Sequence, residues 1–344
     1  MALEFIDGFD HYTQTGMMAR KWSASSPFDS GAGFVTGRFG AGNAFKLHWN
    51  TSVPFVNVGS LATRIVGFAA NFQGANQNYQ VFAFRDSGTV QVDLRMTTTG
   101  ALQVTRNGTV LATTSNTISA GQWYYVEFQV TINSSAGSFT LQITTPGGIA
   151  STWASGSGVN TQSTGNASTN EIAFIGYANN SNDTYIDDLY CLNTSGSVNN
   201  TFLGDSRIVT NLPNADGAST QWTPSTGSTH YNLVNEANPN DDTNYVNSAT
   251  AGQLDLYKYP SISISGAIAG VQITMCARKD DAGARTVSAE YRSAGGTNYA
   301  GGSSFNPTPG YLMYRQVYDT DPATGSQWTL SGVNNGQFGV NCVA

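Results

Sequence analysis

The chain has 344 residues, 40% of them hydrophobic and only 11% charged, with 38 glycines and a formal net charge of −7. That apolar content excludes an intrinsically disordered chain, and the length suffices for two domains that each bury a core. Lys and Arg are scattered without a basic run, which argues against nucleic acid and anionic membranes as partners.

Taken in chain order, the first twelve residues, MALEFIDGFDHY, have neither a basic n-region nor an apolar h-region. They do not read as a signal peptide, and no apolar run reaches transmembrane length, so folding in a cytoplasm is expected. One helical turn is expected around residues 12–19. Thereafter alternation of period two dominates. Val90, Val92, Leu94 and Met96 share one face. Asn107-Gly108 tolerates the positive φ of a type I′ turn and predicts a hairpin; Ser87-Gly88 and Gly147-Gly148 are weaker relatives. In 124–132 (YYVEFQVTI) Tyr124, Val126, Phe128, Val130 and Ile132 face one way, and Phe139, Leu141 and Ile143 repeat the pattern.

Residues 185–208 read as the closing strand of one domain, a polar turn over 193–200, and the first strand of the next. The expected division is therefore 1–200 and 201–344. Beyond it, 213–251 is polar with little periodicity. Val271, Ile273 and Met275 alternate, as do Val287, Ala289 and Tyr291; 311–318 is an aromatic strand and Phe338, Val340 and Cys342 make a last one. Many short strands with regular turns predict an all-β chain of two antiparallel β-sandwich or jelly-roll domains. Cys191, Cys276 and Cys342 are too few and too uneven for a disulfide framework, leaving buried thiols or one Cys276–Cys342 pair.

Chemistry-bearing residues are sparse. Asp187 and Asp188, as strand neighbours, are expected on opposite faces and so do not form a catalytic pair. Asp183 and Asp187, with Asn179, Asn180 and Asn182, are candidate oxygen ligands for Ca²⁺; hydrogen bonding within a turn is the alternative. No other cofactor is implied. Glu127 and Glu171 stand singly, no strand carries the spaced acids of a β-jelly-roll glucanase, and His11, His48 and His230 lack metal-ligand spacing, so no enzyme is expected. Loop aromatics beside Asn suggest a glycan site, with Trp153, Tyr177, Asn180 and Tyr185 as candidates. Trp123 and Trp328 are assigned to the cores. Tyr311, Tyr314, Tyr318 and Phe338 are interface candidates for contact with neighbouring subunits, or else line the second core.

Several phrases carry a resemblance. Residues 9–12 (FDHY), 37–42 (GRFGAG), 121–128 (GQWYYVEF), 137–143 (GSFTLQI) and 186–190 (IDDLY) are similar to framework motifs of concanavalin-A-like jelly rolls of the laminin-G and lectin kind. With 202–208 (FLGDSRI), 240–245 (NDDTNY), 251–257 (AGQLDLY), 279–283 (KDDAG) and 322–329 (PATGSQWT), the whole order resembles a family of structural proteins of tailed bacteriophages and prophages. The resemblance implies a non-enzymatic virion surface protein, made in the host bacterial cytoplasm, that decorates the capsid or forms a tail appendage. Its implied partners are other virion proteins and further copies of itself, with host surface glycan as a further ligand. The alternative is a tail-tip adhesin recognising host carbohydrate; a polysaccharide hydrolase is a third and weaker reading.

Overall fold

The structure is a computed structural model that describes residues 2–24, 28, 31–48, 53–176 and 183–344. The chain divides into two compact units, Ala2–Val209 and Thr210–Ala344.

In the first unit the strands are β1 (Leu3–Asp7), β2 (Ser23–Ala24), β3 (Gly33–Thr36), β4 (Asn43–Leu47), β5 (Pro54–Leu61), β6 (Thr63–Phe72), β7 (Tyr79–Asp86) and β8 (Thr89–Met96). They continue as β9 (Ala101–Arg106), β10 (Thr109–Thr117), β11 (Trp123–Thr131), β12 (Gly137–Thr144), β13 (Ala150–Val159), β14 (Thr169–Phe174) and β15 (Thr184–Leu192). One antiparallel sheet runs β13-β12-β11-β6-β15-β4-β3, with β1 also on β15; a second runs β10-β9-β8-β7-β14-β5-β2. The sheets face each other through phenylalanines: Phe68 meets Phe82 at 5.5 Å and Phe174 at 5.0 Å, and Phe84 meets Phe128 at 5.5 Å between ring centroids. Val126, Phe128 and Val130 are fully buried, as the alternation of β11 requires. Burial of these large apolar side chains is the main stabilising term.

The hairpin turn at Asn107-Gly108 forms as read, with φ of 42° and 91°. Ser87-Gly88, read as weaker, adopts the same left-handed pair at 48° and 87°. The helical turn expected over 12–19 is Thr15–Met18, and a second short helix, Leu330–Asn335, lies in the other unit.

Residues 202–208, expected as the opening strand of the second domain, form no strand and stay with the first unit. Their backbone N–H groups donate to side chains of that unit. The second unit begins after them.

That unit holds β16 (Ala215–Thr220), β17 (Thr223–Pro224), β18 (Val246–Asn247), β19 (Leu254–Lys258), β20 (Val271–Ala277), β21 (Val287–Arg292), β22 (Asn298–Phe305), β23 (Leu312–Tyr318) and β24 (Gln337–Cys342). Its main sheet is β16-β19-β24-β21-β22, with β17-β18 and β20-β23 as separate pairs. The aperiodic span 213–251 is thus built of short elements, including a 3₁₀ turn at Tyr231–Leu233. His230 Nδ1 pins that turn to the buried Asp255 at 3.0 Å, and the Tyr257 hydroxyl donates to the same carboxylate at 2.6 Å. Ile273, Met275, Val287, Ala289, Tyr291, Tyr318, Trp328 and Phe338 make the core. Tyr318 and Phe338, taken as interface candidates, are therefore core residues, because the strand faces that carry them point inward. Tyr311 and Tyr314 remain half-buried. Tyr311 donates to Asp242 at 2.9 Å, and Tyr314 packs on Phe305 at 5.5 Å. No disulfide links the cysteines: Cys276 lies on β20 and Cys342 on β24, in different sheets.

Gly339 on β24 shows how tightly this unit is packed. A Cβ there would lie 1.9 Å from the Asp255 carbonyl oxygen, a backbone atom that has no side-chain freedom to move aside. Gly339→Ala should destabilise the protein by about 1–3 kcal/mol. A lower urea midpoint with an unchanged slope will register this; an unchanged midpoint would contradict the packing described.

Candidate functional site

The outward face of the sheet β13-β12-β11-β6-β15-β4-β3 carries a cluster of acids and tyrosines. Cross-strand register places its side chains in rows. Glu127, Gly67 and Tyr190 form one row, and Tyr125, Ala69 and Asp187 the next. Trp123, Asn71, Tyr185 and Lys46 form a third. Residues paired directly across strands share a face, so each row looks outward together.

The first two rows are covered by the extended segment 203–208. The Leu203 N–H donates to the Tyr190 hydroxyl at 3.2 Å, the Gly204 N–H to Glu127 Oε1 at 2.8 Å, and the Ile208 N–H to Asp188 Oδ1 at 2.7 Å. Tyr190 itself donates to Glu127 and lies across Gly67, where a Cβ would come within 2.1 Å of its ring. Only glycine fits beneath that tyrosine.

Asp187 and Asp188 do not point to opposite faces as expected for strand neighbours. The register of β15 on β6 shifts between Asp187 and Tyr190, and Asp188 takes a left-handed φ of 49°. This is a β-bulge, one extra residue that re-aims its side chain. It falls where β15 exchanges β4 for β1 as its neighbour. The Asp188 N–H folds back onto Asp187 Oδ1 at 2.8 Å. Both acids meet Arg38: its N–H donates to Asp187 Oδ2 at 3.0 Å, and its Nε forms an ion pair with Asp188 Oδ2 at 2.8 Å. The guanidinium also pairs with Asp205 and donates to the Ser206 carbonyl at 3.1 Å. Burial, and then mutual repulsion, push the Asp187 carboxyl well above the usual carboxylate range. Burial also raises Asp188, against the Ile208 N–H and the Arg38 charge, which lower it. Glu127 is raised by burial as well, against the Tyr190 and backbone hydrogen bonds.

Beside the covered rows lies an open groove of about 330 Å³. Phe39, Gln122, Trp123, Thr144, Pro146 and Asp205 line it. Trp123, assigned to the core from sequence, is only half-buried and forms part of this wall, because it starts β11 at the sheet's end on the outward face. Its indole N–H has no partner among the described residues. Phe39 is 54% exposed, yet its ring is held by two guanidinia, Arg38 at 4.5 Å and Arg207 at 4.6 Å from the centroid. Cation–π contact fixes this aromatic without burying it.

Of the glycan candidates read from sequence, Tyr185 lies on this outward face, one strand beyond Asn71 from Trp123. Trp153 does not join it; it sits half-buried on the edge strand β13 against Tyr124, at 6.4 Å. Tyr177 and Asn180 lie outside the described residues. The Ca²⁺ candidates are not brought together. Asp183 is held by His48 Nδ1 at 2.5 Å and lies 3.9 Å from the Lys46 ammonium, whereas Asp187 accepts from the Arg38 and Asp188 backbone N–H groups. Four residues of extended chain separate them by about 13 Å. Asn179 and Asn182 also lie outside the described residues. Sequence reasoning missed Phe39, Arg38 and Asp205. The signal for them is the adjacent Arg38-Phe39 in the glycine turn 37–42, GRFGAG, which by itself reads as framework.

No family model matches this chain, and no curated protein matches it by sequence. Among solved structures it is similar to the catalytic domain of the glycoside hydrolase family 131 protein from Coprinopsis cinerea, with 15% identity and a TM-score of 0.39, covering 58% of this chain and 96% of that one. It is similar to basic winged bean lectin with Tn-antigen at 12% identity and a TM-score of 0.37, covering 55% and 97%. Lectin I-B4 from Griffonia simplicifolia gives 13% identity and a TM-score of 0.31, covering 50% and 90%. The all-β assignment itself rests on the strand order of the chain.

A raised carboxyl holds its proton more tightly in the folded than in the unfolded state. The stability it contributes is full below the unfolded value, near 3.8, and is lost as the pH rises through the higher folded value. Asp187→Asn removes that loss. Between about pH 4 and about pH 8 the melting temperature of the variant should rise relative to the parent. Parallel curves across that range would show that Asp187 is not a strained carboxylate.

Proposed function

We propose that the first unit is a non-enzymatic glycan-binding module and that the groove beside Trp123 and Phe39 takes the sugar. The observation that carries this reading is an open indole wall with an uncommitted N–H. It faces a rim of hydroxyl-bonding groups: Gln122, Thr144 and Asp205. A pyranose presents an apolar C–H face to such a ring and hydroxyls to such a rim. Similarity in fold to two lectins is in keeping with this use of the sandwich.

The absence of catalysis is part of the proposal. Glycoside hydrolysis uses two carboxyls flanking the bond. Asp205 is the one carboxylate lining the groove among the described residues, and Arg38 is paired with it. Glu127 and Asp188 accept from the N–H groups of the 203–208 segment, and Asp187 accepts from the Arg38 and Asp188 N–H groups. Glu171, on the other sheet, is held by the Arg85 guanidinium at 2.6 Å.

We propose further that the whole chain works as a structural protein of a tailed-phage particle, as its sequence phrases imply. It would decorate the capsid or form a tail appendage in several copies, and a tail-tip adhesin is the variant of this reading in which glycan binding is its main task. Mass spectrometry of purified particles, followed by a particle map, tests that role; a chain missing from the particles would refute it.

The binding proposal is tested on a glycan array and by calorimetry with the sugars it selects. Trp123→Ala should weaken binding about tenfold or more, a loss of at least about 1.4 kcal/mol, with unchanged melting temperature. A blank array, or a variant that binds as well as the parent, would sink the groove assignment. Release of reducing ends from a bound polysaccharide would overturn the non-enzymatic reading.

A further inference from the structure

The sheet β10-β9-β8-β7-β14-β5-β2 has its own outward face, with a hollow of about 530 Å³ that shares no lining residue with the groove. Its floor is set by strand alternation. Leu94, Met96, Leu102 and Val104 are buried between the sheets, so Arg95 and Gln103 look outward. Register sets Arg95 opposite Gln103, and Gln103 opposite Thr113. The turn after β8 closes one end: the Thr98 N–H donates to Asn78 Oδ1 at 3.1 Å, and the Thr97 and Thr99 hydroxyls meet at 3.0 Å.

Arg95 is oriented from below. Asp93, fully buried, accepts from Arg95 Nε at 2.6 Å, from Gln80 Nε2 at 2.7 Å, and from the Thr105 hydroxyl. A carboxylate with three donors is satisfied without the rest of the guanidinium. The two Nη groups, on a side chain that remains 36% exposed, have no partner among the described residues. Asn78 has spent its carbonyl oxygen on Thr98, and its Nδ2 has none either. The hollow therefore presents a forked cation edge, an amide donor and several hydroxyls, anchored to a rigid floor.

We propose that this hollow binds the carboxylate of an acidic saccharide, a uronic-acid unit, with the Arg95 Nη pair as the fork. The guanidinium edge offers two parallel N–H groups, which match a planar carboxylate bidentately. Asp93 beneath it already cancels part of its charge, and the protein carries −7 overall. That field opposes a phosphate dianion more than a single carboxylate, so the fork favours the monoanion. Threonine, asparagine and glutamine around the fork suit a ligand rich in hydroxyls, whereas the apolar neighbours Tyr79 and Met96 are buried and offer no greasy wall. The site stands apart from the groove, so either can fail alone.

The test uses the full chain carrying Trp123→Ala, so that groove binding does not contribute. Trigalacturonate, its methyl ester and inorganic phosphate are titrated at neutral pH and low salt, by calorimetry and by amide NMR shifts. Trigalacturonate should bind and shift the Thr98 and Gln103 amides, and its affinity should fall as salt screens the pair. Both the Arg95→Gln and Asn78→Ala variants should weaken it, the first by about tenfold or more. The methyl ester and phosphate should bind far more weakly. Asn78 is exposed and does not touch Asp93, so Asn78→Ala decides the matter should Arg95→Gln fail to fold. Equal binding of the methyl ester, equal binding of phosphate, no binding of trigalacturonate, or full affinity in Asn78→Ala would each overturn the proposal.

Discussion

The ion pair between Arg38 and Asp188 is the constraint on which the first unit's outward face depends. To make it, Asp188 adopts a left-handed φ of 49°, at a cost of about 1–3 kcal/mol for a non-glycine residue. The bulge turns the side chain toward Asp187, so two carboxylates share one buried neighbourhood. Only a cation placed between strand and covering segment makes that tolerable, since a buried charge without a partner is strongly destabilising. Arg38 reaches over the Tyr125 ring, at 5.2 Å, to do so. The same guanidinium grips Asp205 and Ser206 and stacks on Phe39. One side chain thereby compensates the acids, ties down the segment and sets a wall of the groove.

The two outward faces of the sandwich illustrate how identical alternation leads to different surfaces. Both sheets bury every second residue against the other. On one, a length of chain lies across the outward side and converts potential catalytic acids into acceptors for its own N–H groups. Glu127, Asp188 and the Tyr190 hydroxyl each receive one, and neither acid lines the neighbouring groove. On the other, the Asp93 carboxylate is satisfied within the sheet, and the side chain above it keeps its outer edge for something else. What distinguishes the faces is cover, not composition.

Much of the fold was legible in the residues. The buried stripe of β11, the Asn107-Gly108 turn and the closing strand at 186–190 follow from local preference and period two, which act over a few residues. The boundary was displaced because 202–208 has an alternating look yet pairs with no strand; its hydrogen-bond partners, Tyr190, Glu127 and Asp188, lie up to 77 residues away in sequence. From sequence Trp123 reads as a core residue, because an aromatic at the head of an alternating strand has that look. Its exposure depends on how far the segment and the hairpin beyond β12 extend over it. Tyr318 and Phe338 read equally as interface or core residues, because an aromatic strand has two faces and the sequence does not say which is covered.

By itself the sequence determined that this is an all-β chain with two units, a low-charge surface and no local motif for metal or nucleophilic catalysis. Those properties belong to composition and to neighbours a few residues apart. The tertiary structure alone decided that Asp187 and Asp188 lie on one side, that Arg38 lies between them and the covering segment, and that Trp123 and Arg95 face open hollows. Each of these depends on a bulge, a register or a crossing segment that joins residues distant along the chain. The physical reason is that strand alternation fixes only which residues share a face. Which face is buried, and by what, is settled when the sheets and the covering chain pack.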